Sequence, residues 1–266
     1  GYLSPKESTA IAKDSALNAL ALDDSLVEAH TSLAYSLFLY DWAWEDAETS
    51  FKRALALDPN YPTLRQWYAE FLIARGRSAE ARVQMEAAQQ LDPQSPSIVS
   101  VSCWITYIER DFVKAMDECR SAIEMDATLF TSHFWTGQTL EKQGQLPAAI
   151  QAYRKALELS PESDEVLASL AHALGKNGER NEAGKLLARL KEKSRHAYVS
   201  SYFFAIAHLG LGDKASAIAS LESALNERSR AMPFLTVDPM LDELRSDPAF
   251  IRLLDLAGLE SAESEK

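Results

Sequence analysis

The chain has 266 residues, of which 47% are hydrophobic and 25% charged, and this balance excludes extensive disorder. A formal net charge of −12 disfavours direct binding to nucleic-acid phosphates or to an anionic membrane, and no apolar run approaches the ~20 residues that span a bilayer. Two cysteines are too few for a disulfide framework and fit a reducing compartment, so we expect a cytoplasmic protein.

Residues 1–24 predict a single N-terminal helix. Ser4 is a suitable N-cap, Pro5 fits the first turn, and Glu7 can reach back to the cap. Small residues then recur along the helix, as in the second helix of a helical-hairpin repeat. Because the chain also lacks an initiator methionine, we expect it to begin inside a longer array, and a capping helix is the alternative.

A 34-residue period runs through residues 25–229. Similar segments end in Leu-Asp-Pro or a close variant, and their last residues are 34 apart at Pro59, Pro93, Ala127 and Pro161. Extending the period in both directions gives six units in phase. Because proline cannot continue a helix, each such segment predicts the end of one helix and the start of the next.

Two positions within each period carry small residues. The first lies midway along the first helix, at Ala34, Ala69, Cys103, Gly137, Ala171 and Ala205. The second lies early in the second helix, at Ala47, Ala81, Ala115, Ala149, Ala183 and Ala217. Antiparallel helices approach closely only where side chains are small, and a bulkier residue four positions later fills the space beside that contact. This pattern resembles the tetratricopeptide repeat.

The resemblance implies an all-α, right-handed superhelical solenoid of antiparallel helix pairs, with about six repeats plus flanking helices. The predicted helices cover residues 27–40, 45–57, 62–75, 79–91, 96–109, 112–125, 130–143, 146–159, 164–177, 180–193, 198–211 and 214–228. The sequence departs from the family pattern in places. The first repeat has one extra residue, which we place in a loop at 41–44, and the fifth has Leu190 instead of Ala and Arg195 instead of the final Pro.

Residues 230–259 change character and predict C-terminal capping helices. Asp238-Pro239 and Asp247-Pro248 can each start a helix, and apolar residues follow at near-helical spacing. We expect this segment to cover the apolar face of the last repeat, which solenoids generally require. Residues 260–266 are polar and predict a disordered tail.

Three segments carry a narrower resemblance. Residues 19–30, 40–44 and 234–250 are similar to the C-terminal repeat arrays of bacterial multidomain signalling proteins and transcriptional regulators. In that family the array follows an effector domain, such as a winged-helix domain, a kinase or a nucleotide cyclase. The resemblance implies the docking or input half of a regulator, and none of the effector activities transfers to this chain.

The sequence offers no convergent set of catalytic or metal-ligating residues. Its five histidines form no His-x-x-x-His pair, and Cys103 and Cys119 occupy small or core positions of the third repeat. We interpret the two thiols as core packing, with a regulatory thiol pair as the alternative. We therefore expect no enzyme activity, no cofactor and no metal site.

The first helices of tetratricopeptide repeats line a concave groove, which is the expected partner-binding surface. Its predicted residues are Tyr35, Phe38, Glu70, Ile73, Trp104, Tyr107, Phe134, Gln138, Glu141, His172 and Tyr202. Aromatic side chains bury a large apolar area at a small entropy cost. The aromatic members in the first four repeats therefore predict an apolar groove for an extended or helical protein segment. The alternative is that some of them pack between neighbouring helices.

The leading interpretation is a non-catalytic protein–protein interaction scaffold, the docking or sensing module of a larger bacterial signalling or regulatory protein. Its partner would be a protein or peptide, with no nucleic acid and no membrane insertion. One alternative is self-association into a homo-oligomer, which would make the apparent mass depend on concentration. Another is a sensor of a small apolar ligand, which would need a closed apolar cavity and not an open trough.

Overall fold

Antiparallel helix pairs follow one another in the computed structural model, which describes residues 4–259. This part contains fourteen α-helices and no strand, which confirms the predicted all-α superhelical fold. The helices are α1 (Pro5–Leu22), α2 (Val27–Ser36), α3 (Trp44–Leu57), α4 (Pro62–Ala74), α5 (Ser78–Leu91), α6 (Pro96–Ile108), α7 (Phe112–Met125), α8 (Phe130–Lys142), α9 (Leu146–Leu159), α10 (Asp164–Lys176), α11 (Arg180–Lys193), α12 (Ser201–Gly210), α13 (Lys214–Asn226) and α14 (Pro248–Leu256). The predicted tail at 260–266 lies outside the described residues.

Helices α2 to α13 form six pairs, one for each predicted repeat. Their starts carry the expected signals: Ser4 caps α1 in a capping box with Glu7, and Ser95 caps α6 by accepting from the Ile98 N–H at 3.3 Å. Within four pairs the chain turns through a glycine of positive φ. The third pair uses Arg110 there, at φ 66°, and this side chain has a further role described below.

The extra residue of the first repeat does not form the loop that the sequence predicted. Residues Leu37–Asp41 form a π-helical turn that extends α2, and the Ala43 N–H donates to the Leu37 carbonyl at 3.1 Å. Trp42 follows with φ 55° and ends the helix. A π-helical turn absorbs one additional residue while the helix continues, so the insertion changes the helix and leaves the connection short.

The two small positions of each repeat are buried in the helix contacts, as predicted. Gly137 shows the steric reason, because a Cβ atom there would lie 2.6 Å from the Tyr153 ring. The Ala side chains at the other small positions are likewise inaccessible, and three large groups of core residues follow one another along the solenoid.

A disulfide joins Cys103 on α6 to Cys119 on α7, with their Cα atoms 5.2 Å apart and both side chains fully buried. The prediction of two free packing thiols was therefore wrong, although both positions lie in the core as expected. The small position of the first helix faces the bulkier position of the second, and this contact brings the two sulfur atoms together. Because disulfides persist mainly in oxidising compartments, the cysteines no longer support a reducing one.

The C-terminal segment does more than cover the last repeat. Helix α14 packs on α13, and Phe250 and Leu253 join the core of the last repeats. The preceding residues 230–247, here called the C-terminal strap, cross the concave side of the solenoid as two short 3-10 helices joined by turns. The strap reaches the first repeat, where the ring of Phe234 lies 5.7 Å from that of Phe38.

The two ends of the solenoid are also joined directly. Arg228 donates to the carbonyls of Tyr40 at 2.9 Å and Asp41 at 3.2 Å, and its guanidinium lies 4.7 Å from the Trp42 ring centroid. Trp42 and Trp44 in turn pack against the core of the last repeats. The superhelix is therefore closed around the C-terminal strap.

Candidate binding site in the concave groove

A cavity of about 380 Å³ remains between the C-terminal strap and the first helices of the repeats. Six of the eleven predicted groove residues line it: Tyr35, Glu70, Trp104, Phe134, Gln138 and Tyr202. The sequence analysis missed other lining residues, among them Trp135, Glu165, Phe203, Arg230, Phe234 and Asp238. The predicted groove thus exists, but part of its wall comes from outside the repeats.

Aromatic rings form the apolar wall of this cavity. Trp104 lies 5.8 Å from Trp135 and 5.2 Å from Phe234, with the last pair in an edge-to-face arrangement. Tyr35, which also lines the cavity, stacks on Trp67 with the ring centroids 4.2 Å apart. Such ring pairs fix the orientation of each side chain, so the wall is preorganised for a ligand.

Carboxylates form the polar part of the same cavity. Glu70 accepts hydrogen bonds from the Tyr35 hydroxyl at 2.8 Å and from the Gln66 amide at 3.1 Å. Burial nevertheless raises the pKa of Glu70 above its ordinary value, and burial also raises the pKa of Glu165. The charge of Arg230 opposes both shifts and does not cancel them.

The other five predicted residues do not line the cavity. Phe38, Ile73 and Tyr107 are at most 1% exposed and belong to the core. Glu141 and His172 are also buried, where His172 Nδ1 donates to Glu141 at 2.5 Å. For these five the structure supports the alternative interpretation, packing between neighbouring helices, and a partner cannot contact them in this conformation.

The missed residues carried little signal in the sequence. Arg230, Phe234 and Asp238 lie beyond the last repeat, so the 34-residue period says nothing about where they fold. Trp135 is one position after a predicted groove residue, and Glu165 lies at the start of α10, where an acidic residue is ordinarily explained by the helix dipole.

Residues 4–259 hold no cluster of three or more His, Cys, Asp or Glu side chains arranged to bind a metal ion. No helix in that range combines the length and the apolar composition needed to cross a bilayer.

Comparisons with known proteins identify repeats of the predicted kind. Residues 43–101 match a family model described as tetratricopeptide repeat, and residues 137–178 match one described as TPR repeat. A comparison with curated proteins gives no significant match.

Several solved structures share the fold. PilF of Pseudomonas aeruginosa is 15% identical, with 80% of this chain and 96% of that chain covered and a TM-score of 0.55. PilW, a type IV pilus biogenesis factor, is 18% identical over 82% of this chain and 97% of that chain, with a TM-score of 0.58. The human IFIT1 dimer with PPP-AAAA is 15% identical over 94% of this chain and 65% of that chain, with a TM-score of 0.63. At these identities the likeness is one of fold alone.

Proposed function

We propose that these tetratricopeptide repeats form a protein-binding scaffold, which holds a segment of a partner protein against the aromatic wall of the concave groove. Repeats of this kind imply a protein–protein interaction scaffold, because stacked helix pairs create an extended concave surface. The observation that carries the proposal is that the groove already holds an irregular segment, the C-terminal strap.

The contacts of the strap are those of a bound peptide. Phe234 inserts between Phe38 and Trp104, edge-to-face with both rings. Charged side chains from three successive repeats then hold the following residues: Arg110 pairs with Asp242 at 2.7 Å, Lys142 donates to the Pro239 carbonyl at 2.6 Å, and Lys176 pairs with Glu243 at 2.8 Å. An aromatic contact followed by polar main-chain and side-chain contacts is a general mode of peptide recognition.

The part of the groove that the strap leaves open is the proposed docking site. Tyr35, Trp104 and Trp135 remain partly exposed at the cavity and offer an aromatic surface to an incoming side chain. Because the walls are held by ring stacking and by the strap, a partner would bind with little reorganisation of the groove.

A peptide-display selection against the full chain tests this proposal. We expect selected peptides to lose at least about tenfold in affinity for a Trp104→Ala variant, because that change removes the central ring of the wall. Val113→Ala is the matched control, since Val113 is 74% exposed on the second helix of the same repeat. Equal binding to the parent and to Trp104→Ala, with melting temperatures checked, would exclude the groove as the docking site.

The wider context is part of the same proposal. The similarity of residues 19–30, 40–44 and 234–250 to the arrays of bacterial regulators supports a docking or sensing role in a larger signalling protein. A cytoplasmic location belongs to that context. Alkylation of the denatured protein checks the cytoplasmic location. In a reducing compartment the thiols of Cys103 and Cys119 would both react, whereas an intact disulfide would leave neither able to react.

A second candidate function is a sensor of a small ligand. The observation that favours it is the cavity itself, whose volume of about 380 Å³ and aromatic walls suit a small molecule. The strap closes one side of this cavity, whereas an open trough was expected for simple peptide docking. Binding of a small molecule without any selected peptide would favour this candidate over the scaffold.

A further inference from the structure

The cavity beside the C-terminal strap is large enough to hold a side chain from another molecule. Its volume of about 380 Å³ exceeds that of any single amino-acid side chain, and it opens to solvent between the strap and the first helices. A group entering it would meet both aromatic rings and carboxylates. The cavity therefore has a defined chemistry, which indicates what it can bind.

The aromatic side favours a positive charge. The rings of Trp104, Trp135 and Phe234 all line the cavity, and the Trp104 ring lies within 6 Å of each of the other two. The face of an aromatic ring carries partial negative charge and attracts an ammonium or guanidinium group, most strongly in tryptophan. The same ring surfaces accommodate the methylene groups that precede such a charge in a basic side chain.

The polar part of the cavity carries more negative than positive charge, with three carboxylates and one guanidinium group among its lining side chains. One of the carboxylates, Asp238, already accepts hydrogen bonds from the Tyr202 hydroxyl and the Met240 N–H. The other two, Glu70 and Glu165, share the charge of Arg230. Within residues 4–259 neither of these two forms an ion pair with a lysine or another arginine, so Arg230 is the positive group nearest to both.

Arg230 does not fill the cavity. Its side chain is exposed, so water screens its charge and weakens its effect on the deeper carboxylates. Burial keeps the pKa of Glu70 and of Glu165 raised in spite of it. A further monovalent cation beside these carboxylates would offset part of the excess negative charge of the cavity.

We propose that this cavity binds the basic side chain, lysine or arginine, of a partner's segment, with its methylene groups against Trp104 and Trp135 and its charge between Glu70 and Glu165. This inference rests on the proposed scaffold function and names the partner chemistry of the same groove. The protein's net charge of −12 also favours approach of a basic segment.

Isothermal titration of the full chain with peptides from the display selection tests the inference. Each peptide is compared with versions in which one lysine or arginine is replaced by glutamine. We expect one such replacement to weaken binding at least about tenfold, because it removes a charge-assisted contact in a partly dry site. Glu165→Gln and Glu70→Gln should weaken binding of the parent peptide by a similar factor and leave the binding of its glutamine version unchanged.

Glu124→Gln is the matched control, since it removes the same charge from an exposed position on α7. All variants are first compared by thermal melting, and loss of binding counts only where the melting temperature is retained. Peptides that need Trp104 but not a basic residue would overturn this inference and leave the scaffold function standing. If n-butylammonium binds but no peptide does, both the inference and the scaffold function are overturned, and the cavity is assigned to a small amine.

Discussion

At the scale of single residues, a buried polar network joins Glu141 and His172, two residues predicted for the groove, to Tyr153. Glu141 accepts from His172 Nδ1 at 2.5 Å and from the Tyr153 hydroxyl at 2.9 Å, and all three side chains are buried. Burial alone would raise the pKa of Glu141, but the charge and the hydrogen bond of His172, with the hydrogen bond of Tyr153, lower it below its ordinary value.

The sign of this shift predicts how acid acts on stability. A carboxyl whose folded-state pKa lies below its unfolded value of about 4.5 contributes stability above that pH, and the contribution is lost as the pH falls through the folded-state pKa. We expect Glu141→Gln to lower the free energy of unfolding by about 2 kcal/mol at pH 6. The difference from the parent should shrink below pH 4.5. Urea unfolding at several pH values measures it, and a difference that stays constant down to pH 3 would contradict the assignment.

The sequence predicted correctly that Glu141 and His172 lie on the first helices of their repeats. It predicted wrongly that their side chains line the groove, because both are buried. Their positions match the groove register of the repeat, which predicts the helix face and nothing about what lies opposite. Tyr153 lies opposite because Gly137 leaves space for its ring, and its hydroxyl then draws Glu141 inward. The contact of Glu141 with His172 joins two neighbouring repeats, so the period of one repeat could not reveal it.

At the scale of helices, α10 and α12 meet main chain to main chain. A Cβ atom on Gly175 would lie 2.3 Å from the Gly210 carbonyl oxygen, and a Cβ atom on Gly210 would lie 2.2 Å from the His172 Cα atom. Neither distance leaves room for a side chain, and the obstacle in both cases is backbone, which cannot move aside as a flexible side chain can.

Gly210→Ala should therefore destabilise the protein although alanine is the better helix former. Overpacking costs about 1–3 kcal/mol, and the rigid obstacle places this case at the upper end, against a propensity gain of about 1 kcal/mol. We expect a net loss of about 2 kcal/mol in urea unfolding. Gly184→Ala in α11 is the matched control, because nothing lies within 4 Å of its added Cβ and a gain of up to about 1 kcal/mol is expected. Equal effects of the two changes would argue against the close crossing.

Helix positions were the most predictable feature at this scale. Proline and capping residues mark the starts, and the 34-residue spacing fixes the pairs, so the predicted ends agree with α2–α13 to within three residues once the π-helical turn is counted. The π-helical turn itself was missed because one inserted residue fits either a loop or a helix. Only the contacts around Trp42 distinguish the two.

At the scale of the whole molecule, this solenoid differs from an open array in which each repeat touches only its neighbours. Phe234 contacts Phe38, and Arg228 contacts Tyr40 and Asp41, so the first repeat contacts the segment that follows α13. Neither contact follows from the repeat period. The sequence predicted a cap on the last repeat, and the path of the strap to the first repeat is set by long-range packing that no local pattern encodes.

Closure predicts that the two ends resist unfolding together. In a linear array the terminal repeats open most easily, because each has one neighbour instead of two. Here Arg228 ties the π-helical turn of the first repeat to the end of the last, so opening either end breaks the same hydrogen bonds. We expect Arg228→Ala to remove about 1–3 kcal/mol from this junction. The positive φ of residue 228 costs arginine and alanine the same conformational free energy, since each carries a Cβ atom, so it does not contribute to the difference between parent and variant.

Hydrogen exchange locates the effect along the chain. In Arg228→Ala the amides of α2 and α12 should exchange about tenfold faster or more, while those of α8 and α9 in the middle keep their protection. Arg195→Ala is the control, because Arg195 is exposed and pairs only with Glu192 one turn away among the described residues. Uniformly faster exchange would mean a general loss of stability, and unchanged exchange in α2 would mean that the strap alone holds the ends together. The second result would separate closure from the Arg228 contact and assign the coupling of the two ends to the aromatic packing of Phe234.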